Sequence, residues 1–200
     1  MSGPARGQRS ASGSIALGVM RLARGRADGL QQFGATREAF LGSLAPLIAF
    51  PLVGGALMLM GGGGLAALAD LLATLCALVA PPVLSFEVAR LWGRDALWLR
   101  YATAFNWCQW AIPILGSVLM VVLGVMAAFG LPPAIARWMV VLGLVTYGMW
   151  LHWFLARHGL GLSGSRAALL VVGVNVVTVL LVLGPRVLLL AVGGGGLEGK

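Results

Sequence analysis

From about residue 40 onwards the chain alternates long apolar runs with short polar interruptions. Each run is close to the roughly 20 residues that cross a hydrocarbon core as a helix, and the pattern predicts five spans. The first, Phe40 to Met60, carries Pro46 and Pro51, which predict a break, and ends at the glycines 61–64. The second, Leu65 to Leu84, has Pro81-Pro82 disrupting its last turn, because proline lacks the amide that continues the helical ladder. SFEVARLWGRDALWLR then predicts a charged linker with room for a short interfacial helix. The third span runs from Tyr101 to Phe129. GLPP follows and supplies a proline for the first turn of the fourth, Ala134 to Ala156. RHGLGLSGSR leads to the fifth, Ala167 to Leu190, with a kink or stop at Gly184-Pro185.

Ahead of the spans, residues 1–35 are rich in Gly, Ser, Arg and Gln, with one short apolar patch, SIALGVM, followed by RLARGR. Ile15, Val19 and Leu22 share one helical face while Arg21, Arg24 and Arg26 reach for phosphates. The leader is therefore either an amphipathic helix on the membrane surface or a disordered basic segment. The resulting division is a leader (1–35), a five-helix transmembrane domain (36–192) and a Gly-rich tail (193–200). The fold class is all-α, a polytopic integral membrane protein.

Composition agrees: 60% of residues are hydrophobic and 10% charged, far from the mix of soluble domains. The net charge of +8 does not point to nucleic acid, because the arginines lie beside apolar spans, where they meet headgroups and set topology. With the N-terminus in the cytoplasm, eleven of the fourteen basic residues fall on that side, leaving Arg137, Arg186 and Lys200 outside. Lys200 is the single lysine, a bias towards arginine that suggests a GC-rich bacterial genome and hence the bacterial inner membrane. Cys76 and Cys108 both sit in apolar runs, and no ligand spacing accompanies them, so neither a disulfide framework nor a metal site is expected.

Polar residues inside the spans are the candidate chemistry. In the third span Asn106, Gln109, Pro113 and Gly116 fall on one helical stripe. An amide facing lipid leaves donors and acceptors unpaired, so the stripe is expected to face the bundle. Asn175 and Thr178 form a similar pair in the fifth span. Gln109 and Asn175 each lie eight residues into their spans, about 12 Å deep, which suits a common polar layer that either glues helices together or forms a substrate site. Asp70, one turn inside the second span, calls for a partner, and Arg186 or Arg137 lies on its side of the membrane. Six of the seven tryptophans and both tyrosines fall towards the cytoplasmic ends of spans two to four, a one-sided aromatic belt.

Enzyme signatures are not found. GLSG at 161–164 has no later histidine, His152 and His158 are poorly spaced for one helix face, and neither GGGG stretch belongs to a nucleotide motif. No cofactor is expected.

The stretches AFLGSLAPLIAFPLV, FNW and YGMWLHWFLARHGL, set in a five-span chain with a basic leader, resemble the Ypt-interacting-protein (Yip) family of five-helix membrane proteins and its bacterial relatives over residues 36–190. The eukaryotic members' DLYGP-type signature is not present, so small-GTPase binding is not carried over. The resemblance implies a non-enzymatic membrane-organising or adaptor protein whose partners are the bilayer, other membrane proteins or a second copy of itself. The alternative is a small transporter or channel subunit with its polar site between helices, since proline-broken helices build such sites.

Overall fold

The computed structural model describes residues 6–194, with side chains from 14 to 183, and is helical throughout with no strand among the described residues. The helices are α1 (Arg6–Ala23), α2 (Arg37–Met60), α3 (Gly64–Leu91), α4 (Asp95–Cys108), α5 (Ala111–Ala128), α6 (Pro133–Gly159) and α7 (Gly164–Gly194), with a 3-10 turn at Ala27–Gln32 after α1. Five of them are long and apolar enough to cross a membrane, α4 and α5 counting as one span. The chain is thus a multi-pass, all-α membrane protein.

Prolines behave differently from the sequence expectation. Pro46 and Pro51 lie within an unbroken α2, and α3 continues through Pro81-Pro82 to Leu91. SFEVARLWGRDALWLR is therefore not a linker: only Trp92, Gly93 and Arg94 separate α3 from α4, with Gly93 at φ 66° making the turn. α7 likewise passes through Gly184-Pro185. One proline removes one hydrogen bond, and in an apolar medium the flanking backbone groups have no alternative to the helix, so it persists. Pro113 is the exception. It cannot donate to the carbonyl of Gln109, and the helical hydrogen-bond ladder is interrupted at Gln109-Trp110, although both residues keep right-handed helical dihedrals. Here the two halves follow different neighbours, α4 packing on α1, α2, α3 and α6 while α5 packs chiefly on α6.

Side-chain burial divides the bundle into two regions. One cluster of buried apolar side chains joins Leu22, Leu30 and Phe33 of the leader to Tyr101 through Cys108 of α4, the end of α6 and the start of α7. Outside it, the buried apolar side chains among the described residues are Ala67, Pro82, Leu123 and Val140. The rest of α2, α3, α5, α6 and α7 turns apolar side chains outward, Val121 being 68% exposed and Phe129 88%. Helix lengths explain the division. α5, with 18 residues, is about 27 Å long, near the roughly 30 Å of hydrocarbon. α3, with 28 residues, and α6, with 27, are about 40 Å. The excess of α3 and α6 lies at one end, where α4, the 3-10 turn and α1 close around it as a cap.

The aromatic belt belongs to this cap. Trp98 packs between Phe40 and Phe86 at 5.1 and 4.9 Å between ring centroids, and its Nε1 donates to Ser85 Oγ at 3.1 Å. Trp153 Nε1 donates to the carbonyl of Gly164 at 2.9 Å. Tyr147 Oη donates to the carbonyl of Ala23 at 2.9 Å, tying the end of α1 to α6. Arg157 lies over the Trp153 ring, 5.2 Å from its centroid. Most of these rings fill and fasten a core, a larger role than interfacial anchoring alone.

Candidate functional site

Where the cap meets the outward-facing apolar region, α3, α4, α6 and α7 enclose a cavity of about 180 Å³. Its polar lining comes from Tyr101, Gln109, His152, Asn175 and Thr178, set among Pro81, Phe105 and aliphatic side chains of α7. Gln109 sits in the interruption between α4 and α5, four residues before Pro113. His152 is carried in by α6, its ring 4.7 Å from that of Phe105, and its Nε2 lies 3.4 Å from Gln109 Oε1, a long and weak contact.

Two of the polar groups have their donors turned inward on their own helix. Asn175 Nδ2 donates to the carbonyl of Val171 at 2.8 Å, and Thr178 Oγ1 donates to the carbonyl of Val174 at 2.7 Å. The amide oxygen and second Nδ2 hydrogen of Asn175 and the lone pairs of Thr178 are left for a guest, so α7 offers the cavity acceptors and one donor. No charged side chain lines the space. A charged guest would be desolvated without a counter-ion, at a much greater cost than a neutral one. At about 30 Å³ per water, the volume holds about six waters or a neutral solute of a few heavy atoms.

Of the expected polar layer, Gln109, Asn175 and Thr178 share this cavity, though Gln109 and Asn175 meet different partners. Asn106 lies elsewhere. It is 1% exposed, and its Nδ2 donates to the wholly buried Ser43 Oγ at 3.0 Å, which in turn donates to the carbonyl of Phe40 at 2.7 Å. This chain fastens α4 to α2. Gly116 completes the stripe by packing against Leu144 of α6. Asp70 lies exposed near the far end of α3, where its carbonyl accepts from Thr74 Oγ1 at 2.8 Å. The Arg186 side chain lies outside the described residues, and so does the expected ion pair.

His152, Tyr101 and Ser43 were not among the sequence candidates. His152 carried a signal, being a histidine inside the fourth apolar run, where an ionisable side chain calls for a partner or a cavity. Ser43 carried none, since a single serine in a span satisfies itself by bonding back to its own helix.

Trp110, on the other side of the break, meets Phe50 edge-on at 5.2 Å, and its Nε1 is buried without a hydrogen-bond partner among the described residues. It also forms one wall of a second, apolar groove of about 780 Å³ between α1 and α5. No protein-family model, curated protein or solved structure matches the chain.

Proposed function

We propose that this protein is a non-enzymatic membrane-organising protein of Yip-like type, placed in a bacterial inner membrane with its cap and N-terminus on the cytoplasmic side. The observation that carries this reading is the leader helix. α1 is held on the cap by the fully buried Leu22, yet Leu17 turns outward, 41% exposed. Such a helix, rich in arginine and anchored beside the spans, enlarges the molecule in one leaflet only. A wedge of this kind favours curved membrane. Arg21 and Arg24 at the end of α1, Arg94 just before α4, and Arg157 and Arg166 on either side of the α6–α7 turn lie at the cap end, as the positive-inside rule expects of a cytoplasmic face.

The test is reconstitution into vesicles of phosphatidylethanolamine and phosphatidylglycerol, imaged for diameter and tubules. Wild type should narrow them, and Leu17→Gln, which removes an inserting side chain without touching the core, should narrow them less. Vesicles unchanged by wild type, or changed equally by the variant, would end this reading.

A second reading, passage of a small neutral solute, is favoured by the polar cavity. Stopped-flow swelling with urea or glycerol should then be faster than in empty vesicles and slowed by Gln109→Ala or Asn175→Ala. Rates equal to empty vesicles across both solutes would remove it.

A further inference from the structure

The groove between α1 and α5 is open, apolar and large, and its walls state what fits. On one side are Ile15, Ala16, Val19, Met20 and Ala23 of α1; on the other, a stripe of α5 that begins at Trp110 and runs through Ile114 to Val118. Trp110 and Val118 are eight residues apart, so the stripe descends about 12 Å along a membrane-spanning helix. Tyr147 and Trp107 stand at the upper end, the aromatic pairing typical of the hydrocarbon boundary. The volume, about 780 Å³, lies in the range of sites that enclose whole ligands. Because α5 is surrounded by hydrocarbon, the material that fills the stripe is an acyl chain.

Charge decides which lipid. Arg21 and Arg26 both pair with Asp28, at 3.2 and 3.1 Å. Arg24 is exposed and forms no ion pair among the described residues. Its position is specific: Arg24 sits in the turn directly after α1, four residues beyond Met20 of the groove wall and next to Ala23, which also lines the groove. Tyr147 holds the adjacent carbonyl of Ala23 and fixes that end of the helix. We infer that the α1–α5 groove binds one molecule of anionic phospholipid, an acyl chain lying along Trp110 to Val118 and the headgroup phosphate meeting Arg24.

This inference deepens the membrane-organising reading and rests on its placement of α1 in the interface. Phospholipids brominated on the acyl chain quench nearby tryptophan, and Trp107 and Trp110 are in the groove wall. Full-length protein in phosphatidylcholine vesicles is titrated with brominated phosphatidylglycerol or brominated phosphatidylcholine. The glycerol lipid should quench saturably at low mole fraction and the choline lipid only in proportion to its amount. Arg24→Gln should raise the half-saturating mole fraction roughly fivefold. Ala16→Trp, which fills the groove from an exposed position, should abolish the saturable phase read as retention of phosphatidylglycerol through detergent exchange. Should Ala16→Trp not fold, Arg24→Gln on the exposed surface carries the test alone. Equal quenching by the two lipids, or saturation unchanged in Arg24→Gln, overturns the site. Leu17→Gln separates the two proposals, since it should weaken vesicle narrowing and leave selective quenching intact. Narrowing without selectivity ends the site alone, and selectivity without narrowing ends the wedge alone.

Discussion

The cap and the lipid-facing region of this bundle are built from the same kinds of residue and obey opposite rules. In the cap, Leu155 and Leu160 are wholly buried, and most polar side chains find a named partner: Ser43 with Asn106, Ser85 with Trp98, Tyr147 with Ala23. Past the break at Gln109-Trp110, leucines and valines turn outward, and hydroxyls such as Ser117 bond back to their own helix, here to the carbonyl of Pro113 at 2.9 Å. The difference lies in the surrounding medium. Where hydrocarbon surrounds the helices, burying a leucine against a neighbour gains little over leaving it in lipid, and packing alone holds the helices. Where helices emerge into water, apolar area must be covered, and the hydrophobic effect acts as in a soluble core.

The sharpest way to break this contrast is a matched pair of truncations. Leu155→Ala empties a fully buried site and should cost about 2–5 kcal/mol, seen as a large drop in thermal resistance in mild detergent. Leu180→Ala, at a position 63% exposed, should change it by less than about 0.5 kcal/mol. Equal losses at the two sites would mean that the cap is not the stabilising core.

Next in size is the polar tie between α2 and α4. Ser43→Ala leaves the buried Asn106 amide without its acceptor, at a cost of about 1–3 kcal/mol, whereas Ser117→Ala removes only a bond within one helix and should be nearly silent. Thermal unfolding of the two variants, followed by tryptophan emission, measures the difference. A silent Ser43→Ala would indicate that water replaces the hydroxyl.

A smaller effect is expected where α1 meets the 3-10 turn. A Cβ on Gly18 would come within 2.7 Å of the Phe33 ring, and one on Gly29 within 2.8 Å of the Gly18 carbonyl. Gly18→Ala gains about 1 kcal/mol of helix propensity against overpacking of about 1–3 kcal/mol, for a net loss of roughly 0–2 kcal/mol. Gly124→Ala, which meets nothing within 4 Å, should stabilise α5 slightly. Protease sensitivity of the leader in native protein distinguishes them: Gly18→Ala should loosen α1, and Gly124→Ala should not.

The same contrast explains which features the sequence made legible. The five spans could be read because run length and apolarity are local, and the medium imposes them on each run separately. Helical periodicity is local too and sets Asn106, Gln109, Pro113 and Gly116 on one stripe, but it does not say which neighbour each meets: Asn106 turns to Ser43 of α2 and Gln109 to the cavity. The cap could not be read in this way. It depends on residues far apart in the chain, with Ser43 and Asn106 separated by 63 positions and Tyr147 and Ala23 by 124. Proline was misread in the other direction. Pro46, Pro51 and Pro81-Pro82 are breakers in water, while inside these spans the helix runs through them. At Pro113 the lost hydrogen bond coincides with α4 and α5 packing on different neighbours, and no local pattern encodes that coincidence.

The finest test lies at the seam between the two regions, where Gln109 and Asn175 line one cavity without bonding to one another. With Cys76 and Cys108 replaced, cysteines at 109 and 175 should be joined by a short bifunctional reagent that spans the cavity. The pair 106 and 175 should not be joined, because Asn106 faces α2. Pro113→Ala gives the sharper form of the experiment. It restores a donor for the Gln109 carbonyl and favours one continuous helix from α4 into α5, which would turn position 109 away from α7. Cross-linking between 109 and 175 should then fall while the Ser43–Asn106 tie, on the cap side of the break, keeps thermal resistance near wild type. Undiminished cross-linking in Pro113→Ala would mean that the different neighbours of α4 and α5, and not the proline, hold the break open.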